Sequence, residues 1–367
     1  MPSGGSRSFT AAWTAVVPVV ALGALALAWG RTLPPYVVGG IAFLLGGAVL
    51  AAVHHAEVVA HRVGEPFGSL LLAVAVTVIE VALIVTLMIA GGSGVETLAR
   101  DTVFAAVIIT TNGIVGLSIL AGTRRDGVVS FNAAGTGAAL ATVATLTTLS
   151  LVLPNFTTST PGPVFSAPQL AFAAVTALVL YLLFVALQAG RHRDYFLPVA
   201  SDGTNLDTDD HATLPSTRAT LASLGLLLIA LVAVVGNAKL VSPTIERIVA
   251  DAGLPVSVVG VVIALLILLP ESIAAVRAAR RGRMQISLNL AFGSAMASIG
   301  LTIPTIAVAS IWLPVPLHLG LGPIHIVLFM LTCIVAILTV VPGRATLLQA
   351  GVHLALLAAY LFLAISP

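Results

Sequence analysis

Apolar runs of about twenty residues, broken by short polar or glycine- and proline-containing stretches, repeat along the whole chain. A helix rising 1.5 Å per residue needs that length to cross about 30 Å of hydrocarbon. Read this way, the pattern predicts helices near residues 10–30, 35–60, 66–90, 103–122, 133–153, 168–189, 218–238, 254–277, 285–312, 322–341 and 344–365, eleven in all. The first follows Arg7 in the manner of a secretory leader. Its apolar run is longer than a leader core, and Arg31 and the next run follow closely, so it is read as a span.

Composition agrees with the pattern. Of 367 residues, 59% are hydrophobic and only 8% charged, with a mean hydropathy of +1.12, which excludes an ordinary soluble domain and predicts an all-α polytopic membrane protein embedded in a lipid bilayer. The net charge of +2 does not point to nucleic acid, because the basic residues sit at the ends of apolar runs. With the amino terminus in the cytoplasm, twelve of the sixteen fall inside: Arg7, Arg62, Arg124, Arg125, Arg191, Arg193, Arg218, Arg277, Arg280, Arg281, Arg283 and Arg344. Arg31, Arg100, Lys239 and Arg247 fall outside. That bias is the usual one and puts the carboxyl terminus outside a plasma membrane. Cys333 is the sole cysteine, so no internal disulfide can form.

The longest hydrophilic interruption, residues 190–218, divides the chain. The predicted organisation is an extra amino-terminal helix (1–33), a first five-helix set (34–190), a cytoplasmic linker (191–217) and a second five-helix set (218–367). An odd number of crossings per set reverses its orientation, so related sets form an inverted repeat, a common plan of secondary transporters. In the linker, Asp202, Asp207, Asp209 and Asp210 lack the spacing of a calcium-binding loop and read as solvated.

Two lone carboxylates stand inside apolar runs: Glu80 in the second helix of the first set and Glu271 in the second helix of the second. Each lies about 20–24 Å from the start of its predicted helix, near the midplane. A charge at that depth is costly, so such a residue is a functional candidate. Two carboxylates can neutralise one Ca²⁺ or hold two protons, and competition between those states is a sufficient mechanism for exchange. Pro270 frees a carbonyl near Leu266, and irregular helix at membrane depth is where transporters place ion ligands. Thr77 shares the Glu80 face. Asn112, beside Thr110 and Thr111, reads equally as a ligand or as interhelical glue. Ser287, Ala291, Ser294, Ser298 and Thr302 form one stripe, for which close packing is the plainer explanation.

The segment AAVHHAEVVAHRVGEPFGSLLLAVAVTVIEVALIV, residues 51–85, and the segment LLPESIAAVRAARRGRMQISLNLAFGSAMASIGLTIP, residues 268–304, resemble the two alpha repeats of the cation/calcium exchanger superfamily. The branch they resemble is the bacterial calcium/proton (or sodium/proton) antiporters. The resemblance covers residues 35–365 and implies a Ca²⁺/H⁺ antiporter working by alternating access, without a cofactor, in the bacterial inner membrane. It implies cation and proton binding by Glu80 and Glu271, with Ca²⁺ as the metal, and polar ligands at Asn112, Ser294 and Ser298. The pattern Gly-Asn-Ala-X-Glu is absent: Val76 to Glu80 and Ile267 to Glu271 occupy those positions. Sodium or potassium in place of calcium is therefore an open alternative. A further polar cluster, His54, Glu57 and His61, ends the second helix. It reads as a cytoplasmic vestibule, or, as a rival, the ligand set of an intramembrane metallohydrolase, although it lacks the His-Glu-X-X-His order. Self-association is left open.

Overall fold

The computed structural model describes residues 5–31, 33–63, 67–90, 94–190, 193–197, 215–255, 257–312 and 316–366. The aspartates of the central linker lie outside these residues. Among the described residues nine helices are long and apolar enough to cross a membrane, and Ala12–Ala28 and Val74–Ile89 are shorter apolar stretches of two more.

The helices form two compact units that do not follow the division of the sequence at its central linker. One contains α1 (Gly5–Ala28), α2 (Pro35–Val63), α3 (Phe67–Ala90) and α8 (Thr217–Asp251). Here α2 packs along α8, and both touch α1 and α3. An apolar knot of Ala28, Val38, Ile41 and Val241 closes one end. The predicted seventh helix runs about thirteen residues beyond its expected end, through Pro243.

The second unit contains α4 (Leu98–Ile108) and α5 (Val115–Asp126), which one π-helical segment, Ile109–Ile114, joins into a single rod. It also contains α6 (Ala133–Thr147), α7 (Ala167–Ala189), α9 (Ser257–Arg280), α10 (Met284–Ala309), α11 (Pro323–Val340) and α12 (Leu347–Ile365). Helix α10 is central, packing on α7, α9 and α6. Helix ends are fixed by the residues expected to do so. Asn132 accepts from Gly135 N at the start of α6, and Ser166 with Gln169, and Thr346 with Gln349, form capping boxes. One element was not anticipated: the three-residue strands β1 (Val128–Ser130) and β2 (Arg344–Thr346) pair antiparallel, with Val129 opposite Ala345. Each is too short to carry a hydrophobic alternation, so sequence gives no sign of it.

The basic residues sort by end within each unit. In the first, Arg62 donates to Pro215 O and to Thr217 Oγ1, while Lys239 lies 5.4 Å from the Trp29 ring at the other end. In the second, the strand pair brings Arg344 beside the segment following Arg124. Gly122, two residues before Arg124, sits against Val129 and Ala279 O, near Arg280 and Arg281. Arg100 belongs to the opposite end, donating to Gly320 O.

Helix α9 approaches α4 closely because Gly260 has no side chain: a Cβ there would stand 3.0 Å from Thr102 N. Overpacking of this kind costs about 1–3 kcal/mol. Gly260→Val should therefore lower the thermal midpoint of the purified protein. Gly225→Ala, where a Cβ meets nothing within 4 Å, should leave it unchanged or raise it. Equal midpoints for Gly260→Val and wild type, read by tryptophan fluorescence, would contradict this packing.

Candidate ion-binding site

Glu80 is the fourteenth residue of the 24-residue helix α3 and Glu271 the fifteenth of the 24-residue helix α9. Both stand about 20 Å along their helices, the depth expected for the middle of a bilayer. Glu80 is 3% exposed, and buried Thr77 and Ile84 continue the same stripe at steps of three and four. Glu271 is half-buried. Its helix remains α-helical through Pro270, and Ser272 Oγ donates to Leu268 O at 2.7 Å. Irregular helix of the kind expected at Pro270 occurs elsewhere, at Thr148–Val152 after α6 and in the rod against which α9 packs.

In that rod the irregular turn is the π segment Ile109–Ile114, and its sequence, ITTNGI, explains it. Thr110 Oγ1 donates to Ala106 O and Val107 O at 2.8 and 2.9 Å, and Thr111 Oγ1 donates to Val107 O at 2.6 Å. Two hydroxyls thus compete for the carbonyl of Val107, and the backbone ladder widens to the i+5 step downstream. Asn112 sits inside the widened turn, fully buried. Its Nδ2 donates to Thr332 Oγ1 of α11 at 3.0 Å, and its Oδ1 meets His353 Nδ1 of α12 at 3.1 Å. These bonds give Asn112 the interhelical role, one of the two expected of it.

On α10, Ser287 Oγ donates to Ser118 Oγ of α5 at 2.6 Å, so that hydroxyl holds two helices together. Ser298 and Thr302 are buried and Ser294 half-buried. Two polar residues of the same helix escaped the sequence reading. Gln285 accepts from Asn132 N at 2.7 Å and donates to Thr136 Oγ1, and Asn289 donates to Phe196 O. Their spacing of four was the available signal. Asp101, also missed, is buried beside Arg100 at 2.7 Å and accepts from Thr97 Oγ1. Arg100 lines a cavity of about 520 Å³ together with Asn155, Thr157 and Gly320. Its guanidinium is already held by Asp101 and the Gly320 carbonyl.

The histidine cluster of α2 does not assemble as a metal site. Among the described residues no group of three His, Cys, Asp or Glu side chains is placed to hold an ion. Glu57 and His61 are exposed, whereas His54 packs edge-on against His55, with ring centroids 5.4 Å apart. His55, which the sequence reading passed over, is the structural residue here. Its Nε2 donates to Thr14 O at 3.0 Å, so its Nδ1 accepts from Ser223 Oγ at 3.3 Å, which ties α2 to α1 and α8.

The profile of the sodium/calcium exchanger proteins matches residues 33–190 and 222–366. The chain belongs to that family. Sequence relatives span nearly its full length. The y4hA protein of Sinorhizobium fredii is 45% identical over 362 residues, covering 97% of this chain and 96% of that one. The sodium-potassium/proton antiporter ChaA of Escherichia coli is 34% identical over 350 residues, covering 94% of each. Among solved structures, the H⁺/Ca²⁺ exchanger CAX superposes with a TM-score of 0.71 at 17% identity, covering 97% of this chain and 89% of that one. The fold is therefore that of the exchangers, and the protein is a multi-pass membrane protein of a transporter family. The metallohydrolase reading of His54, Glu57 and His61 has no support from either family or geometry.

Removing His55 leaves a buried carbonyl and a buried hydroxyl short of a partner, at about 1–3 kcal/mol. His55→Leu should lower the unfolding temperature of the purified protein. Replacement of Glu57 by Gln, at an exposed position, should not. A stability loss of equal size in both variants would show that His55 does not hold this unit together.

Proposed function

We propose that the protein exchanges a metal cation for protons across the bacterial plasma membrane, and that Glu80 and Glu271 are each required to take up both. The observation that carries this reading is the pair of carboxylates at matching depth in two apolar helices of equal length, one of them 3% exposed. Ionisable residues at this depth mark ion and proton pathways. A carboxylate withdrawn from water binds a proton more readily, and a cation that supplies opposite charge displaces that proton. Uptake of one then requires release of the other, and exposure to each side in turn produces antiport.

For the cation, Ca²⁺ is the first choice. Two carboxylates match its charge, and the hydroxyls of Thr77, Ser294 and Ser298 together with Asn112 Oδ1 are hard oxygen donors of the type it favours. Sodium or potassium is the second reading. It is supported by the similarity to ChaA, named as a sodium-potassium/proton antiporter, and by the absence of the Gly-Asn-Ala-X-Glu pattern at Val76–Glu80 and Ile267–Glu271, which leaves fewer definite oxygens for a divalent ion. At the surface, Glu57 stands exposed near the end of α2 and would draw cations from the cytoplasm, with the exposed His61 beside it responding to pH. The sorting of basic residues to opposite ends of each unit supports a cytoplasmic amino terminus and an outward carboxyl terminus.

Inverted vesicles energised by respiration and loaded with a pH-sensitive dye provide the test. Adding Ca²⁺, Na⁺ or K⁺ to separate samples should dissipate the proton gradient in wild type, the largest response identifying the preferred ion. Glu80→Gln and Glu271→Gln should each reduce that response about 100-fold or more while leaving expression and thermal stability near wild type. A response within two-fold of wild type from either variant would remove that residue from the transport site.

A further inference from the structure

His353 belongs to no feature of the transport reading, yet it is 1% exposed in the middle of α12, where an imidazole needs partners for both ring nitrogens. It has them. The Oδ1 of Asn112 can only accept, so at 3.1 Å the Nδ1 of His353 carries the proton and donates it. The neutral ring then accepts at Nε2 from Thr339 Oγ1, 3.1 Å away on α11. The other end of the Asn112 amide donates to Thr332 Oγ1 at 3.0 Å and, at 3.4 Å, to Thr111 Oγ1. Two glycines let α12 come this close: a Cβ at Gly116 would stand 3.1 Å from His353 Cβ, and one at Gly113 3.1 Å from Leu357 Cδ2.

We propose that His353 is a positioning residue for cation binding, fixing the Asn112 amide so that its oxygen, and not its nitrogen, is held in place within the π turn of the fourth span. This inference rests on Asn112 acting as a cation ligand. An amide is nearly symmetric in shape, and rotation by 180° exchanges an acceptor for a donor. The His353 N–H rejects that rotated form, since it would then face the NH₂ group, whereas the Thr332 hydroxyl, able to donate or accept, pairs with either end of the amide. The His353 bond occupies one lone pair of Oδ1 and leaves the second for a cation. Thr339 holds the far side of the ring in turn, so Thr339, His353 and Asn112 form a hydrogen-bonded chain that runs from α11 through α12 into the fourth span. Partners of this kind change metal affinity by about 10–100-fold when removed.

The KM for Ca²⁺ and for Na⁺ in vesicle proton-flux assays separates this role from plain packing. His353→Ala should raise KM about ten-fold or more with the maximal rate within about two-fold of wild type. His353→Gln, which keeps an N–H for Oδ1, should recover most of the loss. Thr339→Val, a gentler change that removes only the hydroxyl facing Nε2, should move KM in the same direction by less. Asn112→Ala with His353→Ala should show the KM of Asn112→Ala alone, because a positioning residue has nothing left to position. An unchanged KM in His353→Ala, a His353→Gln variant no better than alanine, or additive effects in the double variant overturns the proposal. If His353→Ala does not accumulate in membranes, an unchanged KM in Thr339→Val overturns it. An unchanged KM in Asn112→Ala instead removes Asn112 from the site, and the proposal falls with that reading.

Discussion

Every polar group placed in hydrocarbon must be satisfied inside the protein, because no water is there to do it. This constraint shapes the chain more than any individual contact. Hydroxyls inside the helices turn back on their own backbone: Thr123 to Ile119 O, Thr142 to Ala138 O, Thr147 to Val143 O and Thr305 to Leu301 O. Where two such threonines adjoin, at Thr110 and Thr111, the accumulated competition opens the ladder into a π turn. The deformation at the heart of the fourth span thus follows from a local surplus of donors.

The same requirement governs the residues between helices. Asn112, Thr332, Thr339 and His353 have no water available and satisfy one another across three helical rods. His55, Thr14 and Ser223 do so in the other unit, and Ser118 with Ser287 once more. Hydrophobic attraction between helices is weak in lipid, so such bonds and the close approaches at Gly116 and Gly260 give the bundle its specificity. Against that background Glu80 and Glu271 differ in kind, since a carboxylate contributes nothing to packing that an amide would not provide at less cost.

The helices were legible in sequence because span length and apolarity are coarse, redundant signals. Their ends moved by only a few residues, apart from α8, whose polar final turns conceal its continuation past Pro243. Burial of Glu80 was legible for the same reason. What escaped was pairwise: that Asn112 meets His353 across 241 positions, that His55 and not its neighbours forms the latch, and that two three-residue strands pair. Periodicity records which face a residue occupies and says nothing of what lies opposite. Pro270 illustrates the converse. A rule for helix disruption drew attention to it, yet α9 stays α-helical around the one bond that Pro270 cannot donate, and an irregular turn formed at Ile109–Ile114, where donors were in excess.

The small ladder formed by Val128–Ser130 and Arg344–Thr346 leads straight into α12, whose capping box begins at Thr346. No spare residue separates strand from helix, so the membrane surface at this point behaves as a clasp without slack. An epitope tag or fluorescent reporter inserted there would have to break the pairing and the cap together.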